Sequence, residues 1–156
     1  HLGNTRRRGL EKRYLWPHLD NTFSAFIYLQ DGRVEINPAL SLDLQKIANA
    51  IRDMAGILRS PAKAKKYSAL GIAYDGVDNR KEHWEIVLSQ RKEYLKDPTP
   101  DRVDSIAQLA PKLGYFSIWM KAFDGRPEVR RALITAFKAD NVCFDANTSP
   151  VRKGRV

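Results

Sequence analysis

Apolar positions recur along the chain at two spacings. Between Ser41 and Leu58, Leu44, Ile47, Ala48, Ile51, Met54, Ala55 and Leu58 follow one another by 3, 1, 3, 3, 1 and 3 residues. That spacing is one stripe of an amphipathic helix, with Ser41 as its N-cap and Ser60-Pro61 as its stop. A second helix is predicted from a cap at Asp78, through Trp84, Val87, Leu88, Arg91 and Leu95, to Asp97-Pro98. Thr99-Pro100-Asp101 supplies a cap, a proline at the first position and an acid in the first turn, so a third helix is expected to about Ala110. Pro111 and Gly114 should break it. Tyr115 to Phe123 reads as a fourth helix, and Pro127 opens a fifth that carries Val129, Leu133, Ile134 and Phe137.

Near the N-terminus the period shortens. Phe23 to Leu29 is aromatic and β-branched, Gln30-Asp31-Gly32 is a turn, and Arg33-Val34-Glu35-Ile36 alternates polar with apolar. Together they predict one β-hairpin spanning 23–36. The fold expected is therefore mainly α, about five helices with a small N-terminal β-hairpin packed against them. The expected organisation is a flexible basic arm over 1–9, one helical domain over 10–145, and a basic C-terminal tail over 146–156. No repeat of 20 to 50 residues is visible.

Composition narrows the class. The 156 residues are 43% hydrophobic and 29% charged, enough for one ordinary core. The longest hydrophobic run, Ala25 to Leu29, is far below the roughly 18 residues needed to cross a bilayer. No apolar stretch follows the basic N-terminus, so secretion is not expected. The single cysteine, Cys143, excludes an internal disulfide and fits a reducing, cytoplasmic setting.

Charge changes the picture more than composition does. There are 27 Lys and Arg against 18 Asp and Glu, for a net charge of +9. Residues 1–16, 59–67 and 149–156 hold 12 of the basic residues and one acid, and the remainder is net −2. Cations clustered on segments of a near-neutral body suit a polyanion, because a phosphate backbone releases counterions when cations bind it. The candidate phosphate-binding residues are Arg6, Arg7, Arg8, Lys12, Arg13, Lys63, Lys65 and Lys66. Plain solvated surface is the competing explanation.

Catalytic signatures are sparse. No H-E-x-x-H, C-x-x-C, G-x-S-x-G or P-loop pattern occurs, and Gly71 and Gly76 do not make a phosphate-cradling loop. The densest polar cluster is His18-Leu19-Asp20-Asn21, where His18 is a candidate general base or metal ligand with Asp20 orienting it. Asp20 and Asn21 equally well close a turn on nearby backbone amides, with Trp16 packed on the body. His83 reads as a half-exposed helical histidine, and Cys143 as a small buried hydrophobe. Tyr115, Phe116, Trp119 and Phe123 read first as core; stacking on bases or docking on a protein would need them exposed.

Several stretches resemble a known family. Trp16-Pro-His-Leu-Asp-Asn-Thr-Phe-Ser-Ala-Phe, Asp31-Gly-Arg-Val, Gly114-Tyr-Phe-Ser-Ile-Trp-Met-Lys-Ala-Phe, Pro127-Glu-Val-Arg-Arg-Ala-Leu-Ile-Thr-Ala-Phe and Cys143-Phe-Asp look like the region that follows the catalytic motif in bacterial HNH-type endonucleases. The likeness spans most of residues 4 to 145. In that family a ββα metal finger comes first, and Asn4-Thr5-Arg6-Arg7-Arg8 resembles its exit, with Gly3 where a cysteine would stand. The finger's histidine and metal ligands have no counterpart in this chain, so any divalent metal would belong to a finger upstream. The resemblance implies an accessory, DNA-holding part of such a nuclease. A protein-interaction module of a defence or regulatory system and a metal-dependent hydrolase using His18, Asp20 and Asn21 are the alternatives.

Overall fold

The computed structural model describes residues 15, 19–54 and 76–156. Arg6, Arg7, Arg8, Lys12, Arg13, Trp16, His18, Lys63, Lys65 and Lys66 lie outside the described residues, as do the arm 1–9 and the expected end of the first helix at Ser60. What is described is mainly helical, with five α-helices and one small antiparallel hairpin.

The hairpin pairs β1 (Phe26–Tyr28) with β2 (Val34–Ile36), setting Phe26 opposite Ile36 and Tyr28 opposite Val34. Phe23 to Ala25, expected as strand, belong instead to a turn of 3-10 helix, Thr22–Ala25. The Ser24 N–H bonds to Asn21 O within that turn, and the Asn37 N–H bonds to Ala25 O across the hairpin, beside the Phe26–Ile36 pair. Gly32 closes the hairpin at φ +82, and a Cβ there would stand 2.2 Å from Val77 O. Only glycine permits that approach.

The first helix, α1 (Leu42–Met54), begins as its pattern predicts, with Ser41 Oγ accepting from the Leu44 N–H at 3.5 Å. Leu44, Ile47, Ala48 and Ile51 meet Leu15, Ala25, Phe26 and Ile36 in a small cluster between helix and hairpin. The second, α2 (Gly76–Lys96), starts two residues before the expected cap, so Asp78 lies in its first turn. Val77 is packed against the hairpin turn, and Arg80 Nε donates to Gly32 O at 2.6 Å, which docks the first turns of the helix on the hairpin.

The third helix, α3 (Pro100–Leu113), has Thr99 as its cap, with Oγ1 accepting from the Arg102 N–H at 3.4 Å. It runs through Pro111, which was expected to end it. A proline this close to the C-terminus removes one ladder bond, and the buried Ala110 below it keeps the last turn packed. Gly114, at φ +82, ends the helix by donating its N–H to Ala110 O at 2.9 Å. α4 (Phe116–Ala122) and α5 (Pro127–Ala136) follow. The main core lies among α2 to α5, around Trp84, Val87, Ile106, Ile118, Trp119, Phe123 and Leu133.

Beyond α5 the chain is ordered by hydrogen bonds rather than by regular structure. Asn141–Cys143 is a 3-10 turn, Phe144 bridges Pro150, and Asp145 Oδ1 accepts from the N–H groups of Asn147 and Ser149, each at 2.8 Å. Residues 146–156, expected as a tail, fold back onto the body and bury Val156.

Candidate nucleic-acid interface

Asp20 and Asn21 are both 2% exposed and hold the returning C-terminal segment. The Asp20 carboxylate accepts from the Arg155 backbone N–H at 2.9 Å, from its Nε at 3.2 Å and from its Nη2 at 2.8 Å. Asn21 Nδ2 donates to Cys143 O at 2.9 Å and to Val151 O at 2.7 Å, while its backbone N–H meets Lys153 O at 3.0 Å. The arrangement is a latch. It joins positions more than 120 residues apart in sequence through a carboxylate, a guanidinium and an amide. Asp20 raises the pKa of Arg155 by bonding its charged form.

Two of the three C-terminal cations are thereby tied to carboxylates, since Lys153 Nζ also meets Asp140 Oδ2 at 2.6 Å. Elsewhere on the body Arg33 pairs with Asp31, Lys46 with Asp43, Lys96 with Glu93, and Arg130 with Asp124. Most of these pairs are exposed and add little stability, yet each sets a fixed negative charge beside a positive one. The described residues hold 18 basic and 16 acidic side chains; the remaining stretches hold nine basic and two acidic.

His83 is 7% exposed, not half-exposed as the sequence suggests. Its ring lies 4.5 Å from that of Tyr115 and 6.3 Å from that of Trp119, and its Nε2 has no hydrogen-bond partner. Burial pushes its pKa below the ordinary histidine value, against a smaller opposing effect of the Gly114 carbonyl. Trp119 and Phe123 are wholly buried, with Trp119 Nε1 donating to Gly114 O at 3.0 Å. That burial counts against protein docking through Trp119 itself, while Tyr115 at the start of the helix stays exposed. Cys143 is buried, and its thiol pKa is raised first by desolvation.

A different set of aromatic side chains borders open space. Phe23, Phe26, Tyr28, Phe116 and Phe144, none of them fully buried, line a cavity of about 400 Å³ between the hairpin, the start of α4 and the C-terminal segment. Leu15, Ile51, Thr22 and Ser117 complete much of its wall, and Asp20, Asn21 and Asp140 border it. Sequence reasoning missed this site because its rings come from four separate elements. The one available signal was that Phe23 and Phe144 each stand beside a polar turn.

The chain matches no known family model. No curated protein and no solved structure is significantly similar to it either. The likeness to HNH-type endonucleases therefore rests on the sequence stretches quoted above. Among the described residues no three His, Cys, Asp or Glu side chains come together as metal ligands, and no helix is long and apolar enough to cross a membrane.

Proposed function

We propose that this chain is an accessory nucleic-acid-binding domain of, or derived from, an HNH-type nuclease, which holds the phosphate backbone through Arg6, Arg7, Arg8, Lys12 and Arg13 and through Lys63, Lys65 and Lys66. The observation that supports it is the segregation of charge. The described body is nearly balanced and much of its positive charge is paired internally, so the excess lies in the two basic stretches. Their task is positioning on the duplex or strand and not base readout. The hydrolase alternative loses support from the latch, because Asp20 and Asn21 are engaged in joining the C-terminal segment to the body.

Fluorescence anisotropy with labelled DNA across a salt series tests the reading. Log affinity should fall linearly with log salt, and replacing Arg6, Arg7 and Arg8 by alanine should flatten the slope by about 0.7 to 0.9 for each phosphate that is no longer neutralised. A salt-independent affinity, or no binding at low ionic strength, would refute it.

A further inference from the structure

We infer that the junction between α3 and α4 is an acid-sensitive hinge: a proton on His83 drives Tyr115 off the imidazole and opens the turn at Gly114 and Tyr115. The inference is independent of the phosphate-binding reading.

Among the described residues the junction is the one place where two consecutive residues lie at positive φ, Gly114 at +82 and Tyr115 at +57. Glycine takes such a φ freely, whereas in tyrosine the left-handed region crowds Cβ against the following carbonyl. Strain of this kind persists only where neighbouring contacts hold it. Here Trp119 Nε1 donates to Gly114 O at 3.0 Å and the Ile118 N–H to Tyr115 O at 2.9 Å, while the Tyr115 ring lies 4.5 Å from that of His83.

His83 makes the last of these contacts depend on protons. Its imidazole is 7% exposed against the rings of Tyr115 and Trp119, and Nε2 has no hydrogen-bond partner. In the neutral ring that orphan is a lone pair. Once protonated, Nε2 carries a hydrogen and the ring a charge, and a buried charge without a partner costs far more than a buried lone pair. Among the described residues the influences on the imidazole are burial and the Gly114 carbonyl, and no carboxylate answers it. Arg80, one turn back on α2, is bonded to Gly32 O; Lys81, Glu82 and Glu85 of α2 and Lys112 of α3 are exposed; Tyr115 and Trp119 bring an uncharged phenol and indole. The charged ring must therefore reach water. Trp119 is wholly buried in the core, whereas Tyr115 is 38% exposed and held in a strained turn, so Tyr115 is the side of the enclosure that yields.

Amide hydrogen exchange of the full chain tests this, followed residue by residue by NMR at about pH 7 and about pH 5 and divided by the intrinsic rate at each pH. The amides of Ile118 and Trp119, both bonded to Tyr115 O, should lose protection on acidification by up to about 25-fold, the limit for one imidazole that titrates near about pH 6.5 when exposed and takes no proton when enclosed. Those of Ile106 and Leu133, within α3 and α5, should keep theirs. His83→Phe, which keeps a ring against Tyr115 but takes no proton, should abolish the difference. Tyr115→Gly suits the left-handed turn and uncovers the imidazole; it should also abolish the difference and bring the His83 ring to titrate near about pH 6.5, and it serves if His83→Phe does not fold. Unchanged protection of Ile118 and Trp119 overturns the inference, the outcome expected if the protonated ring rests on the face of Tyr115. So does an equal loss at Ile106 and Leu133, which marks global unfolding, or a loss that persists in the folded variants.

Discussion

Replacing Asp20 by asparagine tests whether the latch holds the C-terminal segment or merely accompanies it. The substitution keeps shape and burial but removes the charge that accepts three N–H groups of Arg155. Hydrogen bonds to a charged group contribute about 1.5 to 3 kcal/mol, and breaking a buried ion pair costs about 3 to 5 kcal/mol. The Arg155 side chain retains 32% of its exposure and is partly rehydrated once its partner is gone. The expected loss is therefore at the lower end, about 2 to 3 kcal/mol. At about 2.1 cal/mol/K per residue, 156 residues unfold with about 0.33 kcal/mol/K, so Tm should fall by about 6 to 9 °C.

Two measurements at neutral pH check this prediction. Circular dichroism gives Tm, and the rate at which a disulfide reagent labels Cys143 reports local opening. That thiol is buried, and its own carbonyl accepts from Asn21, so labelling should quicken when the latch is released. A Tm within about 2 °C of the parent, the range of an ordinary surface substitution, together with unchanged labelling, would refute the assignment of stabilising weight to this pair.

Two further predictions follow from neighbouring geometry. At Gly154, φ is +67 and an added Cβ would stand 2.2 Å from Leu19 O, whereas Gly125, at φ +74, has open space around it. Gly154→Ala should therefore lower the urea midpoint clearly more than Gly125→Ala, whose cost is the left-handed backbone alone, about 1 to 2 kcal/mol; equal losses would contradict the close approach. His83 has a depressed pKa in the folded state, so the unfolded chain binds its proton more readily and stability rises with pH. The contribution of His83 should be complete above about pH 6.5 and be lost as pH falls from there toward the folded value. Urea midpoints from about pH 7 to about pH 5 should fall more steeply for the parent than for His83→Phe; parallel curves would show that the imidazole does not titrate against burial.

Local pattern was sufficient wherever an element is closed by residues within a few positions of one another. The Ser41 and Thr99 caps, proline at the start of α3 and α5, the glycine turn of the hairpin and the apolar stripe of α1 all act within about one helical turn or one tight turn. The charge clusters were legible for the same reason, since counting needs no partner. Pro111 shows where local rules stop, because packing at Ala110 outweighed the missing N–H.

The sequence alone determined the helical class, the hairpin and the excess of cations on particular segments. Tertiary structure alone decided that Asp20 meets Arg155 across 135 residues, that His83 is buried under Tyr115, and that rings from four elements leave a cavity instead of closing on one another. The physical reason is range. Caps, turns and periodicity are satisfied between near neighbours in the chain, whereas burial, pairing and empty volume depend on which distant residues the packed helices bring together.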